Sequence, residues 1–270
     1  MTSCSVSWGN GVYLAELSFK IIADTDFSKA EAAIRRYIEA LIFNGQILGR
    51  EFPTAWLQDR FNSRVVLPAE DALQQQYHSQ RGKAVLEQLA NSGLAYPQWQ
   101  ILGMDLMSSH TDPCLSSECY ILYSRFSETC SPLRCGEHFA PVPLYKFSAL
   151  TDDHEQLIRW QLQYQALDEI QMQQKRVLHK SAERSLQQLN SKLNKQGRAL
   201  ARRFERISLT PVFYALYSGS SDNCIAETDK RCPGCNGNWR LAEPLHDIFD
   251  FKCDSCRLVS NVAWDCQSPS

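Results

Sequence analysis

Two closely spaced cysteine pairs near the C-terminal end constrain this chain more than any other feature. Cys232 and Cys235 are separated by two residues, as are Cys253 and Cys256, and seventeen residues lie between the pairs. This spacing is typical of zinc sites, because a two-residue gap lets both thiolates turn towards one ion. Four thiolates complete a tetrahedral shell, so the spacing predicts one structural zinc ion. The alternative is a redox dithiol, a motif that normally opens a helix in a βαβ unit.

Short apolar runs surround these cysteines and predict the rest of the C-terminal domain. Trp239–Leu241 and Ile248–Phe251 indicate a hairpin between the pairs, and Leu258–Trp264 indicates a third strand. We therefore expect a Cys4 zinc ribbon over residues 224–270. Aromatic side chains in this hairpin either pack around it or stack on nucleic-acid bases. They are Trp239, Phe249 and Phe251.

The same residues resemble a known bacterial family. The first cysteine pair followed by Trp239, and the run Asp250–Asn261, match its pattern, as do Ser131–Gly136 and Pro141–Tyr145 further upstream. The family is described as zinc-ribbon-containing and as a candidate for nucleic-acid binding. The resemblance implies a bound metal and suggests nucleic acid as a partner, and it supplies no catalytic residue.

Residues 1–150 are typical of an α+β sheet domain, which we interpret as ferredoxin-like. Alternating apolar residues predict a strand over Tyr13–Ile21, and helical periodicity predicts a helix that ends at Asn44-Gly45. A second helix is expected over Gly82–Asn91. Further strands are expected at residues 55–57, 64–67, 99–102 and 120–123, and an edge strand at residues 141–147.

Several cysteines in the middle of the chain leave more than one interpretation open. Cys135 and His138 have the spacing of a zinc knuckle and could hold a second zinc ion. They could instead form a catalytic thiol–imidazole pair, or Cys135 could be an ordinary buried cysteine. Three further cysteines precede them and could contribute to such a site: Cys114, Cys119 and Cys130.

Residues 151–208 are predicted to be helical, because Asp152–Ile207 contains no proline and one glycine. The segment forms either one long rod or two helices that break near Asp168–Gln174. A leucine-rich stripe follows one side of its second half. The stripe consists of Leu178, Ala182, Leu186, Leu189, Leu193, Leu200, Phe204 and Ile207.

The second half of this helical segment also carries an unusual positive charge. Between Lys175 and Arg206, ten Lys and Arg face two Glu, which gives +8 in a chain whose net charge is −2. Six of these cations are predicted to lie opposite the leucine stripe, where they could contact DNA or RNA phosphates. They are Lys180, Arg184, Lys195, Arg198, Arg202 and Arg206.

Other partners of the basic helix remain open. It could face an acidic protein, a membrane surface or the acidic remainder of this chain. The ribbon is acidic, with seven Asp and Glu against five Lys and Arg over Glu227–Asp265. The basic helix is therefore the better candidate to contact phosphates. A strand and a polar linker are expected after it, at residues 209–223.

The remaining features indicate a soluble cytoplasmic protein without enzymatic activity. The first residues lack the pattern of a signal peptide, and no apolar run is long enough for a membrane span. Eleven cysteines, four of them in metal spacing, favour a reducing compartment over a disulfide framework. Motifs for nucleotide binding and hydrolysis are absent, and no small-molecule substrate is evident. Two functions remain: a zinc-ribbon protein that binds nucleic acid, and a zinc-stabilised scaffold for protein partners.

Overall fold

A computed structural model describes residues 11–112, 114, 116–150, 153–173 and 177–267. The chain divides into two compact units. The first contains the chain up to residue 115, together with residues 129–131 and 140–155. The second contains residues 116–128 and 132–139 and the chain from residue 156 onwards. The architecture is α+β, with one sheet in each unit.

The first unit is a four-stranded antiparallel sheet with two helices. In chain order its elements are β1 (Tyr13–Lys20), α1 (Phe27–Phe43), β2 (Thr54–Leu57), β3 (Arg60–Leu67), α2 (Gln80–Asn91) and β4 (Gln98–Met104). The strand order is β2-β3-β1-β4, and all neighbouring strands are antiparallel. Both helices and four of the strands that the sequence predicted for this part of the chain are confirmed.

Strand β1 explains how the sequence forms this sheet. Its side chains alternate between buried and half-buried positions, and Ala15, Leu17 and Phe19 are almost completely buried. These residues belong to one hydrophobic core with the apolar face of α1, which includes Ile34 and Ile38. Full burial of each Leu, Ile or Phe side chain contributes about 1.5–3 kcal/mol, so this face stabilises the unit strongly.

The predicted edge strand at residues 141–147 is wrong. Residues Leu144–Leu150 form a 3-10 helix instead. Pro141 and Pro143 supply no backbone N–H for a strand ladder. Tyr145 is buried in the core of the first unit, and its hydroxyl donates a hydrogen bond to Asp71 over 2.5 Å. Burial and hydrogen bonding of the Tyr145 side chain thus hold this segment in place, instead of pairing with a neighbouring strand.

The second unit is a six-stranded mixed sheet with four helices. Its strands are β5 (Tyr120–Leu122), β6 (Leu133–Cys135), β7 (Val212–Leu216), β8 (Arg240–Leu245), β9 (Phe249–Cys253) and β10 (Leu258–Ser260). Its helices are α3 (Glu155–Met172), α4 (His179–Gln187), α5 (Lys192–Ser208) and α6 (Cys224–Thr228). The strand order is β6-β5-β7-β10-β9-β8, in which β7 runs parallel to both β5 and β10.

Strand β5 lies in a different sheet from the one expected, and its partner β6 was not predicted. Residues 120–123 were expected in a domain over 1–150, whereas β5 pairs in parallel with β7. Every residue of β5 and β7 is buried. The partner of β5 lies about ninety residues away along the chain, and periodicity in a local window carries no information about such pairing.

The helical segment is broken twice. The first interruption, between Met172 and His179, overlaps the predicted break, and residues 174–176 in it lie outside the described part of the chain. The second, between Gln187 and Lys192, was not predicted. Ser191 caps α5 by accepting a hydrogen bond from the backbone N–H of Asn194 over 3.1 Å. Among the described residues, none of the helices is long and apolar enough to cross a membrane.

These breaks divide the predicted leucine stripe. Ala182, Leu186, Leu193 and Phe204 are buried as expected, but Leu178 is 58% exposed. Each interruption changes the rotational phase of the following helix, so one continuous stripe does not form.

Candidate metal centre

Four cysteines converge at one end of the β8–β9 hairpin. Cys232 and Cys235 lie in a turn before β8, Cys253 ends β9, and Cys256 lies in the turn before β10. Their four sulfur atoms all lie within 4.8 Å of one another. The structure thus brings together the four residues that the sequence predicted as metal ligands.

The two cysteine turns share a local backbone geometry. The residue after each second cysteine has a positive φ, 59° at Asn236 and 52° at Arg257. In the first turn, the backbone N–H of Asn236 donates to the carbonyl of Cys232 over 2.8 Å. A Cβ atom on Gly234 would lie 2.7 Å from the sulfur of Cys256. Glycine at this position therefore allows the first turn to approach the second.

The chemistry of this cluster suits a soft divalent cation. The backbone N–H of Gly237 lowers the pKa of the Cys235 thiol to about 7, and the neighbouring thiols add to this shift. Burial and the neighbouring thiols raise the pKa of Cys256 to about 12. Four thiolates repel one another unless a cation lies between them, and an all-sulfur set favours zinc over magnesium or calcium.

Aromatic residues of the hairpin form its core. Trp239 is 3% exposed, and its ring stacks on that of Phe251 with a centroid distance of 5.1 Å. Its indole N–H donates to the carbonyl of Lys230 over 2.9 Å. Phe249 and Phe251 are also buried. Of the two interpretations of these aromatics, packing is therefore confirmed, since buried rings offer no face to a base.

The Cys135–His138 pair has a different environment. Cys135 is completely buried, and its thiol donates to a Glu137 carboxylate oxygen over 2.8 Å. Burial, reinforced by this hydrogen bond, raises the pKa of Cys135 to about 12. The sulfur lies 3.5 Å from Nδ1 of His138. Among the described residues, no cluster of three potential ligand atoms within 4.8 Å contains both residues. Cys135 therefore has the environment of a buried, protonated thiol rather than that of a catalytic nucleophile.

The predicted basic face is mostly exposed. Five of the six cations lie at exposed positions on α4 and α5: Lys180, Arg184, Lys195, Arg202 and Arg206. Arg198 is the exception, because it is half-buried and donates to the carbonyl of Leu189 over 3.2 Å. The prediction for Arg198 as part of the free basic face is therefore wrong. The turn that breaks the helix folds back within reach of its guanidinium.

Helix α5 carries two further exposed cations that the prediction did not include. Lys192 and Arg203 are exposed, and at 100° per residue they fall beside Lys195, Arg202 and Arg206 within an arc of roughly 100°. We refer to these five side chains as the α5 basic face. Glu205 lies outside this arc and pairs with Arg257 over 3.2 Å. A helical wheel drawn for α5 alone would have found both residues.

Charge pairing distinguishes the α5 basic face from the C-terminal segment Glu227–Asp265. Among the described residues, four of the five cations of this segment have acidic partners within 2.5–3.6 Å, as in Lys230–Glu227 and Arg240–Asp250, and Arg231 has none. In the described part of the chain, no acidic side chain lies within ion-pair distance of Lys195, Arg202 or Arg206. These helix cations remain available to an external anion.

A disulfide joins two cysteines for which the sequence predicted no role. Cys224 at the start of α6 is bonded to Cys266 in the 3-10 helix Trp264–Cys266. The cysteine content favoured a reducing compartment over a disulfide framework, and this bond was not predicted. The two residues are 42 positions apart, so only the closure of the segment between them reveals their proximity.

Two known proteins match this chain over most of its length or about two thirds of it. A Haemophilus influenzae protein named "Uncharacterized protein" is 34% identical over 263 residues, which cover 94% of this chain and 99% of that relative. The chain belongs to the same family. A second H. influenzae protein with the same name is 37% identical over 175 residues, or 64% of this chain and 85% of that relative.

Three family models match successive parts of the chain. "Domain of unknown function (DUF8589)" matches residues 12–103, "Domain of unknown function (DUF2310)" matches residues 114–217, and "Domain of unknown function (DUF8594)" matches residues 221–266. The first boundary falls close to the end of β4, and the last model contains all four clustered cysteines. These three descriptions assign no ligand, so zinc and nucleic acid are proposals for this family.

Proposed function

We propose that this protein is a zinc-ribbon protein in which Cys232, Cys235, Cys253 and Cys256 hold one structural zinc ion. The convergence of four sulfur atoms within 4.8 Å carries this proposal. Two cysteine turns joined by the β8–β9 hairpin and followed by β10 support the ribbon assignment. The ion would supply folding free energy rather than a reaction, because four thiolates leave no coordination position for substrate. We assign no enzymatic activity, and the cytoplasm remains our predicted location.

We also propose that the first unit is ferredoxin-like. Its elements follow the order β-α-β-β-α-β, in which a hairpin lies within the split βαβ arrangement. The strand order β2-β3-β1-β4 supports the same assignment.

Metal analysis of the purified protein tests the zinc site. We expect about one zinc per chain, and we expect Cys235→Ser to lose it because binding and folding of the ribbon are coupled. Cys119→Ser is a matched control that removes a free thiol outside every group of potential metal ligands among the described residues, and it should retain the metal. An intact protein without zinc, or a Cys235→Ser variant that retains all of it, would contradict the proposal. Two zinc ions per chain would revive the Cys135–His138 site.

For the partner, we propose that the α5 basic face binds nucleic acid through its phosphates. Five cations project from one side of a single helix, while four of the five ribbon cations are paired with acidic side chains of this protein. Such contacts release counterions and give affinity that is independent of sequence. Buried Trp239, Phe249 and Phe251 offer no stacking platform, so we expect no preference for single strands over duplexes.

Charge reversal tests this interface. The triple variant Lys195→Glu, Arg202→Glu and Arg206→Glu should lose measurable binding to a labelled duplex while retaining its fold, since exposed charges contribute little to stability. For the intact protein, five or six phosphate contacts predict a fall in affinity of about 10³ between about 50 and 200 mM salt. Fluorescence polarisation across this salt range measures both effects.

A second triple variant separates local from overall charge. Arg36→Glu, Lys83→Glu and Lys146→Glu change three exposed cations of the first unit, and they alter the net charge by the same amount. This control should bind almost as well as the natural sequence. Equal losses in both variants would indicate an effect of net charge alone. A folded, zinc-containing protein that binds no nucleic acid at low salt would favour the alternative, a scaffold whose α5 basic face contacts an acidic protein.

A further inference from the structure

The Cys224–Cys266 disulfide closes the segment that contains the four clustered cysteines. One end of the bond is the first residue of α6, and the other lies six residues after β10. All four proposed zinc ligands lie between these ends. The matched residues of the last family model, 221–266, coincide almost completely with the closed segment.

Non-covalent contacts already hold the two ends of this segment together. The backbone N–H of Ser221 donates to the Asp265 carboxylate over 3.2 Å, and the N–H of Asp265 donates to the carbonyl of Gly219 over 3.2 Å. Glu227 accepts from the N–H of Ala263 over 3.0 Å. Hydrogen bonds thus hold the two ends of the segment together without the disulfide. The two cysteines therefore remain neighbours when the bond is reduced.

The bond is accessible from solvent. Cys224 is exposed and Cys266 is half-buried, whereas Cys232 and Cys253 in the metal cluster are buried. The residues next to the bond are also open, with Ile225 86% exposed and Trp264 50% exposed. A thiol reagent can thus reach the disulfide without opening the ribbon.

We propose that Cys224 and Cys266 form a redox-reversible clasp that controls how tightly the ribbon retains zinc. Loss of zinc requires the two cysteine turns to separate. A bond between the ends of the same segment removes many of the open conformations that permit this separation. Oxidation therefore slows zinc release, and reduction speeds it. This inference rests on the proposed zinc site.

The reductant that opens the clasp is a dithiol. One thiolate of the dithiol attacks the sulfur of Cys224, which forms a mixed disulfide and releases Cys266 as a thiolate that takes up a proton. The second thiolate of the dithiol then displaces Cys224. The protein gains two electrons and two protons, and the reductant leaves as a disulfide. In a reducing compartment the clasp is open. A disulfide oxidant closes it by the reverse exchange, in which the oxidant takes up the two electrons and two protons and leaves as a dithiol.

Alkylation and zinc release test the clasp in the full-length protein. With a chromophoric chelator, the oxidised protein should release zinc roughly tenfold more slowly than the same protein reduced by a phosphine. Mass analysis after alkylation should show Cys224 and Cys266 protected only in the oxidised form. Cys224→Ser should release zinc at the fast rate under both conditions, and Cys119→Ser, which removes a thiol outside every group of potential metal ligands among the described residues, should keep the full redox response.

The possible failures are distinguishable. Zinc-containing protein that releases its metal at the same rate in both redox states would overturn the clasp and leave the zinc site intact. Alkylation of both cysteines under oxidising conditions would overturn it as well. Absence of zinc in both states would overturn the proposed zinc site, and the clasp with it.

Discussion

Gly197 allows α5 to pack closely against β7 and α3. A Cβ atom at this position would lie 2.3 Å from a ring carbon of Tyr214 on β7 and 2.8 Å from the indole nitrogen of Trp160 on α3. Trp160 and Tyr214 are both almost completely buried, so neither ring can move aside at low cost. In the sequence, Gly197 appears only as an isolated glycine in a helical segment, where it weakens the helix. The tertiary structure gives it a packing role.

The change in the free energy of unfolding on Gly197→Ala distinguishes the two roles, because helix propensity and packing predict opposite signs. Helix propensity alone would stabilise the variant by about 1 kcal/mol. We expect Gly197→Ala to destabilise the protein by about 1–3 kcal/mol instead, because the methyl group overpacks the contact with Tyr214 and Trp160. Urea unfolding measures the difference. The exposed Ala199 on the same helix supplies the control, since Ala199→Gly should cost only the propensity difference of about 1 kcal/mol.

At the scale of elements, the turn between α4 and α5 shows how local patterns mislead. Residues 188–191 contain neither proline nor glycine, so the helical pattern continues through them. The side chain of Asn194 donates to the carbonyls of Leu186 and Gln188 over 2.7 and 2.8 Å, and it accepts from the Tyr214 hydroxyl over 2.6 Å. Carbonyl groups released by the break are thereby satisfied inside the protein. The Tyr214 hydroxyl, which lies on β7, completes the hydrogen bonding of the Asn194 side chain and holds it in this position.

The two cysteine turns, in contrast to the turn between α4 and α5, were predictable from local sequence. Each is a few residues long, its two thiols are neighbours in the sequence, and the turn geometry brings them together without distant contacts. For this reason the spacing alone predicted the cluster, and the aromatic hairpin between the turns was predicted within a few residues of its bounds. The exposed cations of α5 were also predictable, except for Arg198, whose environment depends on the break before α5.

At the scale of the whole molecule, the chain does not divide where its composition changes. Strands β5 and β6 lie between two parts of the first unit, the chain up to residue 115 and residues 140–155, yet they form one edge of the sheet of the second. Ile121 on β5 is completely buried and belongs to a hydrophobic cluster with Phe213, Phe249 and Val259. Core residues of β7, β9 and β10 thus depend on a strand that lies far away along the chain.

Hydrogen exchange in the full-length protein tests this division. Ile121→Ala should destabilise the second unit by about 2–5 kcal/mol through the cavity that it leaves. The amides of β7, β9 and β10 should then exchange faster, while those of β1 and β3 stay protected. Leu17→Ala, at a buried position of β1, should produce the reverse pattern. If Ile121→Ala exposes the amides of β1 and β3 instead, residues 120–122 stabilise the first sheet.

The amino-acid sequence by itself determined the features that arise from neighbours along the chain. These are the four clustered cysteines, the alternating strand β1, the positions of α1 and α2, and the positive charge of residues 180–206. Tertiary structure decided the features that join distant residues: the parallel pairing of β5 with β7, the partial burial of Arg198, the packing against Gly197 and the Cys224–Cys266 bond. The physical reason is one of range. Spacing and periodicity record contacts within a few residues, whereas strand pairing and disulfide formation depend on loop closures for which many partners have nearly the same entropic cost.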